Sequence, residues 1–444
     1  MRVEIGLSVS KGDFVNLSDI RVRNVVKRIY DEVHGYIELS DIELDIVNTS
    51  IFQRLRYVKQ LATAWYVYPG ATHTRFSHSL GAMHIAGLIA SKFYRLGYIY
   101  DVNDIQLLRL AALLHDVGHT PFSHAIEPFY RHRLNINHED ISRVIISESS
   151  ELRDVLSKHG FDYREIIALL EGRYKEPLYN QLLSSDIDID RMDYLIRDAL
   201  HTGVTYGMID IHRIIATISV DGDGNIAILD KGIDSIDNFY LARMHMYRAV
   251  YYHKTLVGYE LMLRKIYEYL CNNYSDSLLF KSLQDIAKSI RNGDIAYWND
   301  EWLSGLMIQV YRSRSVPKEL IELIDSFFKR KGYKIIIDRS SFGNTQLDVS
   351  NDGDVQMIRH TTSIARGIVE EYQIAPFVDD IKIIDEDPHV VPRIISGKKS
   401  VPITMTETSI VKYIPRRYHI KRLYVLSSEW NKVYNVLKSR GIIE

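Results

Sequence analysis

Apolar residues recur at helical spacing through most of the chain up to about residue 315. Ile42, Leu44, Ile46 and Val47 run on into Phe52, Leu55 and Val58 at three- and four-residue intervals, which predicts a helix over 41–61. The same periodicity predicts helices over 76–96, 105–115, 140–156, 164–170, 191–201, 235–272, 283–291 and 300–312. Residues 1–40 read as an irregular start with a short β segment at 21–26 and a turn at His34-Gly35, and 66–71 as a loop containing Pro69-Gly70. One hairpin interrupts the series, where two short apolar alternations flank Asp221-Gly222-Asp223-Gly224-Asn225. Beyond residue 317 the texture changes, and 333–338, 381–385 and 422–426 read as strands. The pattern predicts a mostly α protein, with a helical lobe over 1–315 and a smaller α/β C-terminal region over 316–444.

Composition narrows the class. The 444 residues are 46% hydrophobic and 25% charged, an ordinary globular balance with ample chain for a core. Net charge is −2, so no global basic field recruits nucleic acid, and any phosphate binding must come from local cations. The single Cys271 excludes an intramolecular disulfide and a multi-cysteine zinc site. Residues 1–10 are too short and polar for a signal peptide, and no run approaches the ~18 apolar residues of a membrane helix. The expected compartment is the reducing cytoplasm.

Chemistry concentrates at one helix end. The 105–114 run carries Leu107, Leu110, Ala111 and Leu114 on one face, then sets His115 beside Asp116 before Gly118, with His119 and His124 following. An imidazole nitrogen and an ionised carboxylate suit a divalent metal. A lone His-Asp pair is weak evidence, because a buried histidine is often only a hydrogen-bonded core residue. Metal ligands converge from several elements, however, and two more clusters are available. In 69–81, His78 opens a helix; in 186–198, Asp186, Asp188, Asp190, Asp193 and Asp198 alternate with other residue types.

At these stretches the chain resembles the HD-domain phosphohydrolases, in the branch of the SAM-and-HD-domain deoxynucleoside triphosphate triphosphohydrolases. The resemblance runs from Asp31 to about Lys254. It includes His34-Gly35-Tyr36-Ile37-Glu38-Leu39, the 52–61 stretch from Phe52 to Leu61, the 118–124 turn, His138-Glu139 and Tyr251-Tyr252-His253-Lys254. It implies an HD core at about 50–200, and no SAM domain is expected before Asp31, where too little chain precedes it. It also implies that His78, His115, Asp116 and Asp190 hold one divalent metal per subunit. Such mixed donors suit Mn, Fe, Ni, Co or Zn, and Mg less well; a second Mg with the triphosphate is a further expectation.

The resemblance assigns the surroundings too. Arg75 and Arg191 contact phosphates, with Arg191 standing where the family usually has lysine; His138 and Tyr194 flank the same pocket. His119 and His124 lie near the α-phosphate and the leaving oxygen, and Glu127 orients a catalytic imidazole. Gln60 and Leu61 line the deoxyribose, Asp198 bonds its 3′-hydroxyl and Tyr251 packs against the ring. The implied reaction releases deoxynucleoside and tripolyphosphate, with water attacking the α-phosphorus while His124 protonates the departing 5′-oxygen. A nucleotide substrate, a homotetramer and an activating nucleotide are the implied partners. The activator would meet Asn48, Gln53 and Arg56, but Asn48 replaces an aspartate and offers one acceptor and one donor group where a carboxylate accepts both N–H donors of a guanine edge, so the expected site is a relaxed or constitutive one.

Two other readings stay open. One is the same site acting on another nucleotide or phosphate ester. The other is a nucleotide-sensing or single-strand-binding scaffold with a vestigial site, using Lys412, Arg416, Arg417, Lys421 and Arg422 interleaved with Tyr413, Tyr418 and Tyr424.

Overall fold

The computed structural model describes residues 24–443 apart from 314, 315, 386, 388, 389 and 398. The division drawn at 315/316 and the start of the β segment at 21–23 therefore involve positions outside the described residues. The fold is mostly α with small sheets.

Several predicted helices are broken where a polar side chain caps a new start. The 41–61 helix is instead Asp41–Val47 and Ser50–Gln53, because Asn48 ends the first and the Thr49 hydroxyl accepts from Phe52 N to begin the second. Ser149 divides 140–156 in the same way, into His138–Glu148 and Ser150–Lys158. The long 235–272 run becomes Ile233–Met246, a π turn over Tyr247–Tyr251, and Lys254–Asn273, the last capped by His253 accepting from Thr255 N.

The strands form three sheets among the described residues. Val25–Asp31 and Gly35–Ser40 make an antiparallel hairpin turning at Gly35, whose φ of +71° suits glycine. Arg417–Leu426 pairs antiparallel with Tyr333–Asp338, Ser341–Gly343 and Ile374–Lys382. The predicted 381–385 strand thus lies earlier, and Ile383 and Ile384 leave it to be buried. The Ile218–Val220/Ile226–Leu229 hairpin is extended by Arg393–Ser396, parallel to Ile226–Leu229, and then by Lys399–Pro402. Strands from late in the chain therefore complete a sheet begun in the helical lobe, over one continuous core.

Helix Arg75–Arg95 packs against Val102–Leu114 and Ile189–Thr202. Gly81 permits this approach, since a Cβ there would collide with the Asp193 carboxylate and the Arg197 guanidinium. A buried ion pair fixes the other side. Glu43 accepts from Arg109 Nε (2.6 Å) and Nη2 (2.8 Å), Gln106 Nε2 (2.6 Å) and Ser40 N (2.8 Å). Burial alone would raise the Glu43 carboxyl, but Arg109 and these donors hold it below its ordinary value.

Removing Glu43 strands a buried guanidinium, so Glu43→Ala is expected to cost about 3–5 kcal/mol in a denaturant titration. With its folded pKa depressed, the Glu43 contribution is complete above its unfolded value of 4.5 and is lost as pH falls through the folded value. A pH series of unfolding midpoints for wild type and variant should therefore converge in acid.

Candidate active site

Three helices deliver the central cluster. His78 stands in the first turn region of Arg75–Arg95, His115 caps the end of Val102–Leu114 with Asp116 next to it, and Asp190 lies in the first turn of Ile189–Thr202. His78 Nε2 is 3.3 Å from His115 Nε2, 3.5 Å from Asp116 and 3.0 Å from Asp190. His115 Nε2 is 3.3 Å from Asp116 and 3.7 Å from Asp190. His78, His115 and Asp116 thus have their donor atoms within 4.8 Å of one another, and Asp190 joins them from the side of the two imidazoles.

Their far sides are fixed. His115 Nδ1 donates to the Ala112 carbonyl at 2.7 Å, and His78 Nδ1 donates to Asp193 at 2.8 Å. Both imidazoles therefore turn Nε2 into the cluster, the arrangement a metal-binding histidine needs. The electrostatics agree. Burial opposes charge on His78, yet its bonds to Asp190 and Asp193 raise it to about 10, so this spot favours positive charge. Burial likewise opposes ionisation of Asp116 and Asp190, but Arg75 and the imidazoles hold Asp116 low, and His115 and His78 hold Asp190 low. Two Nε2 atoms and two ionised carboxylates are a donor set that fits one divalent cation.

Asp116 is shared with a second array. Arg75 pairs with its carboxylate, donates to Ser123 Oγ at 2.8 Å and reaches His124 Nε2 at 3.3 Å. His119 Nε2 lies 3.2 Å from Asp116, and its ring stacks on His138 with centroids 4.1 Å apart. Burial first, then the charges of Arg75 and His138, push His119 well below its ordinary value and keep it neutral. Buried Glu127 holds His124 Nδ1 (3.3 Å) with one oxygen and His138 Nδ1 (2.9 Å) with the other. Burial resists its ionisation, but those two imidazoles hold it far below the carboxylate range.

On another flank, Asp198 accepts from Tyr251 Oη at 2.9 Å and from His73 Nε2 at 2.7 Å, and the Tyr194 ring lies edge-on to Tyr251. Gln60 is buried, its backbone bonded to His73 O at 3.0 Å, and Leu61 packs on the core beside it. Arg191 bonds Asp188 and donates to the Ser185 carbonyl at 2.6 Å. Asn48, Gln53 and Arg56 sit apart from the cluster. Gln53 donates to Val47 O (2.7 Å) and accepts from Arg56 (2.8 Å), whose guanidinium lies over Phe76. In the basic stretch, Lys421 and Arg422 are buried, pairing with Asp352 and Asp354 and with Asp338, while Arg417 pairs with Asp380.

Sequence reasoning passed over the groups that hold this array. Asp193 and His73 lie inside the acidic and His78-bearing stretches without a role of their own, and Asp193 sits one helical turn from Asp190, a spacing that signals a shared face. Arg54 had no local signal. It is buried, with Nη1 donating to His119 O (2.9 Å) and Trp298 O (2.8 Å) and Nη2 to Val117 O (2.5 Å).

Family models match at two places, an HD domain over residues 75–198 and an HD-associated region over 209–292. An uncharacterized protein of Methanocaldococcus jannaschii is 37% identical over 320 residues, covering 71% of this chain and 61% of the relative. The deoxynucleoside triphosphate triphosphohydrolase SAMHD1 of Gallus gallus is 31% identical over 280 residues, covering 55% of this chain and 45% of that protein. The chain thus spans less than two thirds of the length of either relative. A crystal structure of a phosphohydrolase from Bacteroides thetaiotaomicron superposes with a TM-score of 0.73 at 27% identity, covering 90% of this chain and 99% of that one. No helix among the described residues is long and apolar enough to cross a membrane.

Because Asp193 orients His78 through Nδ1, Asp193→Asn is expected to weaken binding of a divalent metal by about 10- to 100-fold. Equilibrium dialysis with manganese checks this, with Asp198→Asn as the neighbouring control expected to bind as wild type.

Proposed function

Because this chain belongs to the HD-domain phosphohydrolase superfamily, we propose that it hydrolyses deoxynucleoside triphosphates at the α-phosphorus, releasing deoxynucleoside and tripolyphosphate. The observation carrying the reading is that Asp116 belongs at once to the His78–His115–Asp190 cluster and to the Arg75–His119 array. A phosphate bridging the two would meet a cation site and fixed N–H donors together. A divalent metal held by His78, His115, Asp116 and Asp190 would withdraw charge from a phosphoryl oxygen and make a water acidic enough to ionise near neutral pH.

The chain's own groups do the rest. Arg75 offers donors to phosphate oxygens beside Asp116, and neutral His119, its Nε2 on Asp116, lines the same place. His124, its side chain 63% exposed, has Nδ1 on Glu127 and Nε2 beside Arg75 Nη2 at 3.3 Å, which would set the ring next to a phosphate bound by Arg75 and within reach of the 5′-oxygen as its proton donor. Glu127 also holds His138 stacked on His119, which fixes both rings. Arg191 is held through Nη1 by Asp188 and the Ser185 carbonyl, so a phosphate contact would come from its other N–H groups. Asp198, fixed by Tyr251 and His73, keeps acceptor capacity for a sugar hydroxyl, with Gln60, Leu61 and Tyr194 around it. A sugar seated that closely would exclude a 2′-hydroxyl by collision. The activating-nucleotide reading, at Asn48, Gln53 and Arg56, and the tetramer belong to the same proposal.

Ion-exchange analysis of products from each dNTP and rNTP, with Mn or Mg and with or without GTP, tests it. Tripolyphosphate and deoxynucleoside from dNTPs alone are expected; release of orthophosphate or pyrophosphate, or equal turnover of rNTPs, overturns the assignment. Asp190→Ala and His115→Ala should abolish turnover while circular dichroism stays that of wild type. If GTP changes neither rate nor oligomer, activation is excluded.

A further inference from the structure

The turn that carries His124 is strained. Phe122 and Ser123, two successive residues with side chains, adopt φ values of +53° and +44°, a region such residues hold only when their surroundings over-determine it. Some partners lie within the turn or in neighbouring site elements. Thr120 Oγ1 donates to Ser123 O (2.9 Å), while Ser123 Oγ accepts from Arg75 Nε (2.8 Å) and donates to Lys59 O (3.0 Å). The partner at the strained residue itself comes from far away. Phe122 N donates to Asp300 Oδ1 at 2.6 Å, and the other oxygen of Asp300 accepts from Lys59 N at 3.1 Å. Asp300 is buried, and two residues earlier the Trp298 carbonyl anchors Arg54, which bonds the carbonyls of Val117 and His119 in the same turn.

We propose that Asp300, which lies outside both segments matched by the family models, is a positioning residue that sets His124 by pinning Phe122 to the Lys59 backbone. The inference rests on the reading of His124 as proton donor. Two N–H groups, Phe122's buried and Lys59's part-buried, point at the two oxygens of one side chain, and a carboxylate, acceptor on both, satisfies them together, whereas an amide turns an NH₂ toward one of them. The same carboxylate takes the Lys59 backbone N–H, so the His124 turn is tied to a second segment of the chain through Asp300.

Asp300→Asn is the test, since it preserves volume. Turnover number is expected to fall about tenfold to a hundredfold, the scale of a displaced catalytic group, with KM and bound-metal stoichiometry within about twofold of wild type. Because Asp300 acts through His124, the double variant Asp300→Asn/His124→Ala should be no slower than His124→Ala alone. Losses that multiply would overturn the proposal. A second readout does not depend on turnover: amide hydrogen exchange should quicken over 120–126 in Asp300→Asn while 75–95 and 189–202 keep wild-type protection. Unchanged exchange over 120–126 overturns the anchor even if activity falls. A wild type inert toward every triphosphate would sink the dNTP reading instead, and the exchange result would then decide the anchor alone.

Discussion

Asp193 is fully buried, and its two oxygens take His78 Nδ1, His34 Nε2 and both Nε and Nη2 of Arg197. An ionised carboxylate in that position is tolerable only while all those donors stay in place. The donors come from the first turns of helix Arg75–Arg95, from the turn of the N-terminal hairpin and from the same helix as Asp193 itself. Arg197 carries the tie onward to Asp31, which also accepts from the backbones of Val33 and His34 and so shapes the hairpin turn. The hairpin, though its first strand is largely exposed, is therefore structurally part of the cluster, and His78 cannot rotate without stranding a buried charge.

The cluster and its neighbour divide their electrostatic work. Around His78 the carboxylates outnumber fixed cations, and the imidazole is driven toward the charged form. A short distance away Arg75 and His138 drive His119 the other way, to stay neutral. Asp116 is the boundary, touched by both sets. A ligand that binds across it meets a place that wants a cation next to a place that wants an anion, which is the polarity of a metal–phosphate pair.

How much of this was legible follows from distance along the chain. His78, His115, Asp116 and Asp190 were named together through the resemblance that the long motifs carry, and the structure places them side by side. The helix breaks at Asn48-Thr49, at Ser149 and at Tyr252-His253 were not, since apolar periodicity runs through them unchanged and only the caps reveal a new start. Arg54 and Asp300 were invisible for a different reason. Arg54 lies within the 52–61 stretch and Asp300 opens the 300–312 helix, and what gives each its place is a partner more than fifty residues away, which no local pattern encodes. The strand predicted at 381–385 failed locally, because buried Ile383 and Ile384 carry the apolar signature of a strand while serving the core.

The break at Tyr252-His253 shows why such failures fall near the site. A continuous helix over 235–272 would bury its apolar face evenly and offer no group to the pocket. The π turn over Tyr247–Tyr251 shifts the register, sends Tyr251 Oη to Asp198, and leaves the Tyr252 carbonyl free to accept from Arg422 at 2.6 Å. Arg422 belongs to the central strand of the C-terminal sheet, so the sheet holds the broken helix end that faces the sugar flank. The strand residue Arg422, which sequence alone offered as part of a nucleic-acid surface, is occupied in holding that end. A buried guanidinium bonded to a backbone carbonyl and to Asp338 has little left to give a phosphate. The departure from ideal helix is thus local, and what maintains it is long-range.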